Sequence, residues 1–256
     1  MARLVAGAPD ATLDLDLGAP SRDVVWEAIA DGWGWDGEGA RAVIAPDRTI
    51  EAIDAAVARL VAVAGDGGRI AVATSQPASL LPLARAFAQV ATVAGGEVLV
   101  GDEYRLSDRG DRALWWHDQV AVVAEDGALV RDDGLEAGDD WLFAVGRPDL
   151  VVADRGFAAA GLAAGHETIA LADFDALALG LAQRRGLPVR LVPLAMGCPP
   201  SAYAPLIEAV LAGPSPTDRA QGVDPPVPGH PDEQTQEPHS TTCAPGAYAP
   251  PGCGEG

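Results

Sequence analysis

Aspartates follow two neighbouring apolar segments of the chain, where their carboxylates are well placed to do chemistry. The segment "DLVVAD" ends on Asp154, and the later segment "ETIALADFD" ends with Asp173 and Asp175. Carboxylates bind hard cations such as Mg²⁺, transfer protons and act as nucleophiles. We therefore take these three aspartates as candidate catalytic residues and as candidate ligands of Mg²⁺ or another divalent metal. Each of them could instead cap the helix that follows it.

Polar side chains at nearby positions could bind a substrate. The segment "RIAVATSQ" leads into a predicted helix, whose free N–H groups and positive dipole end suit an anion. The arginine that follows Asp154 offers a cationic partner for phosphate. A carboxylate after "EVLVG" and a histidine after two tryptophans add two candidates, although a buried structural role is the alternative for the histidine. The candidate substrate-binding residues are Thr74, Ser75, Gln76, Asp102, Arg155 and His117.

Short apolar strands alternate with helical segments along the chain, and this pattern would bring those residues together. The predicted strands include "RIAVAT", "EVLVG", "DLVVA", "ETIAL" and "VRLVPL". A turn at Asp126-Gly127 indicates further β-structure between them. The alternation predicts a three-layer, Rossmann-like α/β domain with a mostly parallel sheet. Ligands of such domains bind beyond the carboxyl ends of the strands, so the candidate residues are expected to converge there.

Composition divides the chain into two parts. Residues 1–212 are predicted to form a single α/β domain, in which residues 1–20 are an irregular lead-in. Residues 213–256 are rich in proline, glycine, serine and threonine and contain few aliphatic residues. Such a segment cannot bury enough apolar surface to offset the entropy of ordering it, so we predict a disordered tail.

The balance of charges excludes several kinds of partner and cofactor. The chain has 37 acidic and 17 basic residues, a net charge of −20 that repels nucleic acid and anionic membranes. All the basic residues are arginines, so neither a Schiff base nor a P-loop lysine can form. The "GWGWDG" segment matches a dinucleotide fingerprint by letters but follows no strand, which leaves no nucleotide-cofactor motif. No apolar run would span a bilayer and no signal peptide begins the sequence, so we expect a cytoplasmic protein.

Residues 21–210, approximately, resemble an actinobacterial family whose members are named as phosphatases. The resemblance runs through "RIAVATSQPASLLPLARA", "LWWHD", "PDLVVADRGFA" and "VRLVPL", and "DLVVAD" followed by "LADFD" is its most specific part. It implies hydrolysis of a phosphomonoester. Family members tend to carry Gly-His before Pro77, where this chain has Ser75-Gln76, and a histidine in place of Arg155. The aspartates match the family pattern, and those histidines do not.

Two functions follow from the residues and the resemblance. The first is a phosphatase, a phosphomonoester hydrolase acting on a small phosphorylated metabolite that rests against the helix start at Ser75–Ser79. The second is a catalytically inactive domain that binds a small molecule or anion in the same crevice. An enzyme of another reaction type, acting on a sugar phosphate or an acid, also stays open because fold does not dictate function.

Overall fold

The strands form one sheet with a parallel centre, as expected for apolar strands covered on both faces. The computed structural model describes residues 12–35, 43–106 and 111–213. Its strands are β1 (Arg69–Ala73), β2 (Glu97–Val98), β3 (Tyr104–Arg105), β4 (Arg112–His117), β5 (Val120–Glu125), β6 (Ala128–Val130), β7 (Leu150–Asp154), β8 (Glu167–Ala172) and β9 (Val189–Pro193). The order across the sheet is β3-β4-β5-β1-β7-β8-β9, and the last five of these strands run parallel. The short β2 pairs with the first half of β1, and β6 pairs with β5.

Helices cover both faces of the sheet, which confirms the predicted three-layer α/β fold. They are α1 (Arg22–Trp33), α2 (Pro46–Gly65), α3 (Pro77–Val93), α4 (Leu135–Val145), α5 (Arg155–Ala163), α6 (Leu177–Arg184) and α7 (Ala204–Ala212). Helices α1, α4, α5 and α6 pack on one face, and α2, α3 and α7 pack on the other. None of the helices in the described ranges has the length and hydrophobicity needed to cross a membrane.

Alternate residues of each central strand supply the two cores. In β7, Val151 and Ala153 belong to the core that includes α5, whereas Leu150 and Val152 belong to the core that includes α3. This alternation is the two-residue period of a strand, here apolar on both faces. It fixes the position of β7, and therefore of the functional candidates at its carboxyl end.

The antiparallel strands β4, β5 and β6 extend the sheet beyond the carboxyl end of β1. Only the start of β5 pairs with β1, through Val72 with Val120 and Ala73 with Ala121. The predicted turn at Asp126-Gly127 joins β5 to β6, and both turn residues have the positive φ that a tight hairpin requires. The rest of β5 and β6 therefore lies beside the loop that follows β1.

Some parts of the chain differ from the sequence-based expectation, and others lie outside the described residues. Helix α1 was not predicted, and the predicted strand "EVLVG" is reduced to the two residues of β2. Within the lead-in, residues 15–20 have no regular secondary structure, but Leu15 and Leu17 are buried in the core. Residues 1–11 and the predicted tail beyond residue 213 lie outside the described residues, so both of those predictions remain predictions.

Candidate functional site

The loop after β1 is tied to the end of β7 by a buried carboxylate. The Thr74 hydroxyl donates a hydrogen bond to Asp154 Oδ2 over 2.7 Å, and the Ser75 N–H donates to Asp154 Oδ1, also over 2.7 Å. The Gln76 N–H in turn donates to the Thr74 hydroxyl oxygen. Asp154, Thr74 and Ser75 are all completely buried. These residues come together as predicted, but beneath the surface of the molecule.

Burial raises the pKa of the Asp154 carboxyl above its ordinary value, because a charged carboxylate loses its hydration inside the protein. The hydrogen bonds from Ser75 and Thr74 act in the opposite direction by stabilising the charged form. Asp154 therefore holds the loop of β1 in place, and its contacts are those of a positioning residue.

Arg155 stands at the junction between β7 and α5 in a backbone conformation that is rare for a side chain other than glycine. Its φ is +39°, in the left-handed region. The guanidinium lies 3.0 Å from Asp175, 3.5 Å from Asp173 and 3.6 Å from Asp133. Strained residues of this kind often occur at functional sites, because the rest of the fold holds them there.

Asp173 and Asp175 form a short turn at the carboxyl end of β8. Asp173 Oδ1 accepts a hydrogen bond from the Asp175 N–H over 2.9 Å, so Asp173 does cap the 3₁₀ turn Phe174–Ala176 that follows. Burial raises the pKa of Asp173, and the charge of Arg155 partly offsets that effect. The two aspartates face a cavity of about 420 Å³, here called the Asp173 crevice, whose walls include Ile44, Phe174, Ala195 and Met196.

Asp133 and Arg131 belong to the same group of side chains, although neither was predicted from the sequence. This group, here called the cluster, consists of Thr74, Ser75, Gln76, Arg131, Asp133, Asp154, Arg155, Asp173 and Asp175. Asp133 Oδ2 accepts a hydrogen bond from Arg131 Nε over 2.7 Å, and its Oδ1 accepts one from the Ser75 hydroxyl over 3.3 Å. Because Asp133 also lies near Arg155, its carboxylate stands between two guanidinium groups. The signal for both residues was the "RDDG" segment directly after the predicted hairpin.

Asp132 anchors this segment over the loop of β1. Its carboxylate accepts hydrogen bonds from Arg112 Nη1 and from the Gly134 N–H, and its own N–H donates to the Ser75 carbonyl over 3.0 Å. The side chain is almost completely buried. A buried charge that is paired and hydrogen-bonded in this way fixes the position of its neighbour, Asp133.

A family model described as Phosphatase matches residues 34–215. The chain belongs to this phosphatase family. The match includes every residue of the cluster, from Thr74 to Asp175. The chain is also similar to Phosphatase SCO2771 of Streptomyces coelicolor, with 34% identity over 156 residues, and the aligned part covers 59% of each protein. The chain thus spans about three-fifths of the length of that curated relative. No solved structure matches the chain.

The sequence resemblance places the departures from the family pattern at Ser75, Gln76 and Arg155, and these residues lie together in the structure. Ser75 and Gln76 follow β1, and Arg155 follows β7, with Asp154 hydrogen-bonded between the two segments. A change at one position is therefore next to the change at the other. By the same resemblance, Gln76 and Arg155 stand where family members tend to carry histidine, and Ser75 stands where they tend to carry glycine.

Two candidates lie away from this cluster. Asp102 is exposed in the loop after β2, where the adjacent Gly101 packs against Ala144 in the last turn of α4. Helix α4 begins next to the cluster and is about 16 Å long, so its last turn is remote from Arg155. His117 is half exposed at the end of β4, 3.4 Å from Asp118, so the alternative of a buried role does not describe it. The structure does not bring either residue to Asp173, and their roles remain predictions.

Asp154, Asp173 and Asp175 do not form one set of metal ligands in this arrangement. Both oxygens of Asp154 accept hydrogen bonds inside the protein, whereas Asp173 and Asp175 face Arg155. No group of three or more His, Cys, Asp or Glu side chains suited to a shared metal ion occurs within residues 12–35, 43–106 and 111–213. The predicted divalent metal therefore stays a prediction.

Two buried donors of the cluster have no hydrogen-bond partner among the described residues. They are Nε2 of Gln76 and Nε of Arg155; Trp116, Trp141 and Arg190 carry similar atoms elsewhere. Buried polar groups are normally paired, so these two donors are expected to hydrogen-bond to an acceptor on a bound ligand. The cluster therefore keeps spare donor capacity, which suits an anion.

Proposed function

We propose that the chain is a phosphomonoester hydrolase acting on a small phosphorylated metabolite at the Asp173 crevice. The observation that carries this proposal is the pair of Arg155 and Asp173, whose guanidinium and carboxyl groups are 3.5 Å apart beyond the carboxyl ends of β7 and β8. Hydrolysis of a phosphate ester needs a cation that binds the phosphate and a group that transfers a proton. Membership of the phosphatase family supports the same reaction.

Arg155 and Arg131 are the groups that bind the phosphate in this proposal. The Asp133 carboxylate already lies between their guanidiniums, and phosphate oxygens are acceptors of the same kind. The planar guanidinium can donate two parallel hydrogen bonds to one phosphate. The incoming phosphate replaces Asp175 first, because this partner of Arg155 is the most exposed, at 76%.

Asp173 is the proton donor in this proposal. Its raised pKa favours the protonated form at higher pH than for an ordinary aspartate, and its side chain lines the crevice. The contacts of Asp173 with Arg155 and with the Asp175 N–H both involve Oδ1, so we assign proton donation to Oδ2. Asp154 has no direct role in the reaction and instead positions the Thr74–Gln76 loop.

The reaction balances without a further reactant. Water attacks phosphorus, the ester P–O bond breaks, and the proton of Asp173 passes to the leaving alcohol oxygen. The dihydrogen phosphate formed from water then returns a proton to the Asp173 carboxylate through solvent. Removing charge from the leaving oxygen in this way typically accelerates a reaction about 10²- to 10⁴-fold.

The surface charge and the site together indicate the partners. A net charge of −20 opposes binding of nucleic acid and of anionic membranes. The small phosphorylated partner is inferred instead from the arginines beside Asp173 and from the phosphatase family.

A catalytically inactive anion-binding domain is the second candidate. One observation favours it: Arg155 contacts three carboxylates, while Thr74 and Ser75 are completely buried. An anion could bind by exchanging those ion pairs without any reaction taking place.

A panel of phosphomonoesters tests the two candidates. The purified chain should release inorganic phosphate from some of them, and Asp173→Asn should lower kcat about a hundredfold or more because it cannot donate an acidic proton. Asp126→Asn, at the exposed β5–β6 turn, is the matched control and should keep full activity. Both variants should melt near the temperature of the unchanged chain. Thermal stabilisation by phosphate without turnover would favour the inactive domain instead.

The pH profile provides a second test of Asp173. Since the proton donor must be protonated, kcat should fall as the pH rises through the raised pKa of Asp173, and the residual activity of Asp173→Asn should lack that decline.

The same assays with a chelator test the predicted divalent metal: loss of activity and recovery with Mg²⁺ would support it. Unchanged activity after chelation would count against the metal and leave Asp173 as the assigned group.

A further inference from the structure

An apolar groove lies beside the Asp173 crevice and takes no part in the proposed chemistry. Its volume is about 580 Å³, within the range of small-molecule sites. The apolar groove is lined largely by side chains of α2, α7 and the segment between β9 and α7, including Ile50, Ile53, Leu194, Ala202, Leu206 and Ala209. Ile50 is 56% exposed although it is a large apolar residue, which marks the groove as a surface that a ligand could cover.

The apolar groove and the Asp173 crevice are neighbours that share part of their walls. Ile44 and Ala195 line both of them. The Thr49 hydroxyl at the start of α2 donates to the Pro193 carbonyl over 2.6 Å, which fixes the groove at the carboxyl end of β9. A ligand with its phosphate at Asp173 therefore has its other end directed along an apolar wall.

We propose that the substrate is a phosphate monoester of an apolar alcohol, whose hydrocarbon part fills the apolar groove. This inference rests on the proposed function, because the phosphate is placed in the Asp173 crevice. Hydrocarbon is favoured since the two hydroxyl groups of the groove already have partners within the protein. The Tyr203 hydroxyl donates to the Ala195 carbonyl over 2.8 Å and accepts from the Cys198 N–H, and the Thr49 hydroxyl bonds Pro193.

Tyr203 also keeps the groove uncharged at physiological pH. Burial raises the pKa of Tyr203 to about 12, so the phenol remains protonated. A sugar or another polyhydroxyl group would leave its own hydroxyls unpaired against Ile53 and Leu194, which costs binding free energy. An alkyl or aryl group loses nothing there and gains from leaving water.

Binding of a homologous series tests the inference directly. Titration calorimetry would compare methyl, butyl and hexyl phosphate on the full chain carrying Asp173→Asn, which keeps hydrolysis slow during the titration and is the background for the groove variants as well. Each methylene strengthens binding about fourfold when fully buried and about twofold when partly buried. Hexyl phosphate has five more methylenes than methyl phosphate, so it should bind at least about thirtyfold more tightly.

A pair of exposed substitutions isolates the groove. Ile50→Asp places a charge on the groove wall and should reduce the ratio of hexyl to methyl affinity about fivefold or more. Val93→Asp, on an exposed end of α3 outside the groove, is the matched control and should leave the ratio unchanged. The ratio cancels the repulsion of phosphate by the added charge, and both residues are exposed, so both variants should fold.

The outcomes separate this inference from the proposed function. Equal affinities for methyl and hexyl phosphate, or no binding of either, would overturn the inference even if phosphomonoesters are hydrolysed. A dependence on chain length that Ile50→Asp removes would support the groove even if no phosphate is released, in which case the proposed hydrolase would be wrong. Hydrolysis together with that dependence would support both.

Discussion

At the scale of single residues, the cluster is organised by a carboxylate that never reaches solvent. Asp154 joins the Thr74 hydroxyl and the Ser75 N–H in the completely buried end of β7. Its folded-state pKa is raised, so the native protein holds this proton more tightly than the unfolded chain does. Stability from this group is therefore present below the unfolded value of 3.8 and is lost as pH rises through the folded pKa.

The variant Asp154→Asn tests whether Asp154 lowers the stability of the protein as the pH rises. The variant cannot ionise, so its free energy of unfolding relative to the unchanged chain should rise as the pH increases from the unfolded value of 3.8 through the raised folded pKa of Asp154. Urea unfolding of both proteins across this range gives the difference at each pH. Asp126→Asn, on the exposed hairpin turn, should show no such trend. A difference for Asp154→Asn that is flat or falls with pH would show that the hydrogen bonds to the carboxylate outweigh its burial.

The positive φ of Arg155 leads to a second prediction. Replacement by alanine or by glycine removes the same contacts with Asp133, Asp173 and Asp175, but only glycine adopts a φ of +39° without strain. Arg155→Gly should therefore be more stable than Arg155→Ala by about 1 kcal/mol in urea unfolding. Equal stabilities of the two variants would mean that the backbone at this position relaxes when the guanidinium is removed.

Local sequence identified only part of the cluster. Thr74, Asp154 and Asp173 follow parallel strands, and the carboxyl ends of such strands meet at one edge, so their positions could be predicted. Asp133 and Arg131 could not be placed in the same way. They approach Ser75 because β5 overlaps β1 by only two pairs and carries β6 beyond the end of β1. That register depends on distant pairing, which no local pattern encodes.

At the scale of elements, the distance between Asp133 and Arg155 is set by the close packing of α4 and α5. A Cβ added to Gly156 would lie 2.5 Å from the Gly134 carbonyl oxygen, and one added to Gly138 would lie 2.7 Å from Ala160 Cβ. Glycine at both positions lets the two helices approach this closely. Since Asp133 precedes α4 and Arg155 begins α5, this contact holds their ion pair together.

Gly156→Ala should therefore disturb both packing and site. The added methyl group meets backbone atoms, which cannot move as a flexible side chain can, so we expect a loss of about 1 to 3 kcal/mol in the free energy of unfolding. Gly65→Ala, at the end of α2 with nothing within 4 Å of the added Cβ, is the control and should stay within about 0.5 kcal/mol. Urea unfolding measures both. Equal stability of the two variants would mean that α4 can shift away from α5 without cost.

The elements themselves were predicted best where their periodicity was strong. Strands β7 and β8 are apolar on both faces, which gives short, uninterrupted apolar runs. Helix α1 was missed although Val25, Ile29 and Trp33 repeat at helical spacing, because the glycines of "GWGWDG" suggested a connector. Strand β2 is short because β5 pairs with Val72 and Ala73 of β1, which leaves only the first half of that edge for β2.

At the scale of the whole molecule, the charge of the protein opposes its proposed ligand. The chain carries a net charge of −20, and within the cluster the carboxylates of Asp133, Asp173 and Asp175 outnumber the two arginines. A phosphate group must approach through this negative field. The two arginines contact the phosphate directly. Most of the other charges are farther away, and their combined negative field reaches over about one Debye length, which depends on the salt concentration.

Added salt should therefore strengthen the binding of a small phosphate. Raising NaCl from about 10 mM to about 150 mM shortens the Debye length from about 30 Å to about 8 Å, which screens the distant carboxylates more than the contacts with Arg155. The Kd of methyl phosphate for the slow variant Asp173→Asn, from titration calorimetry, should fall over this range. Hexanol has no charge, so its binding gives the effect of salt on the apolar groove alone. A Kd of methyl phosphate that rises with salt would show that the two arginines, and not the net charge, control the field at the Asp173 crevice.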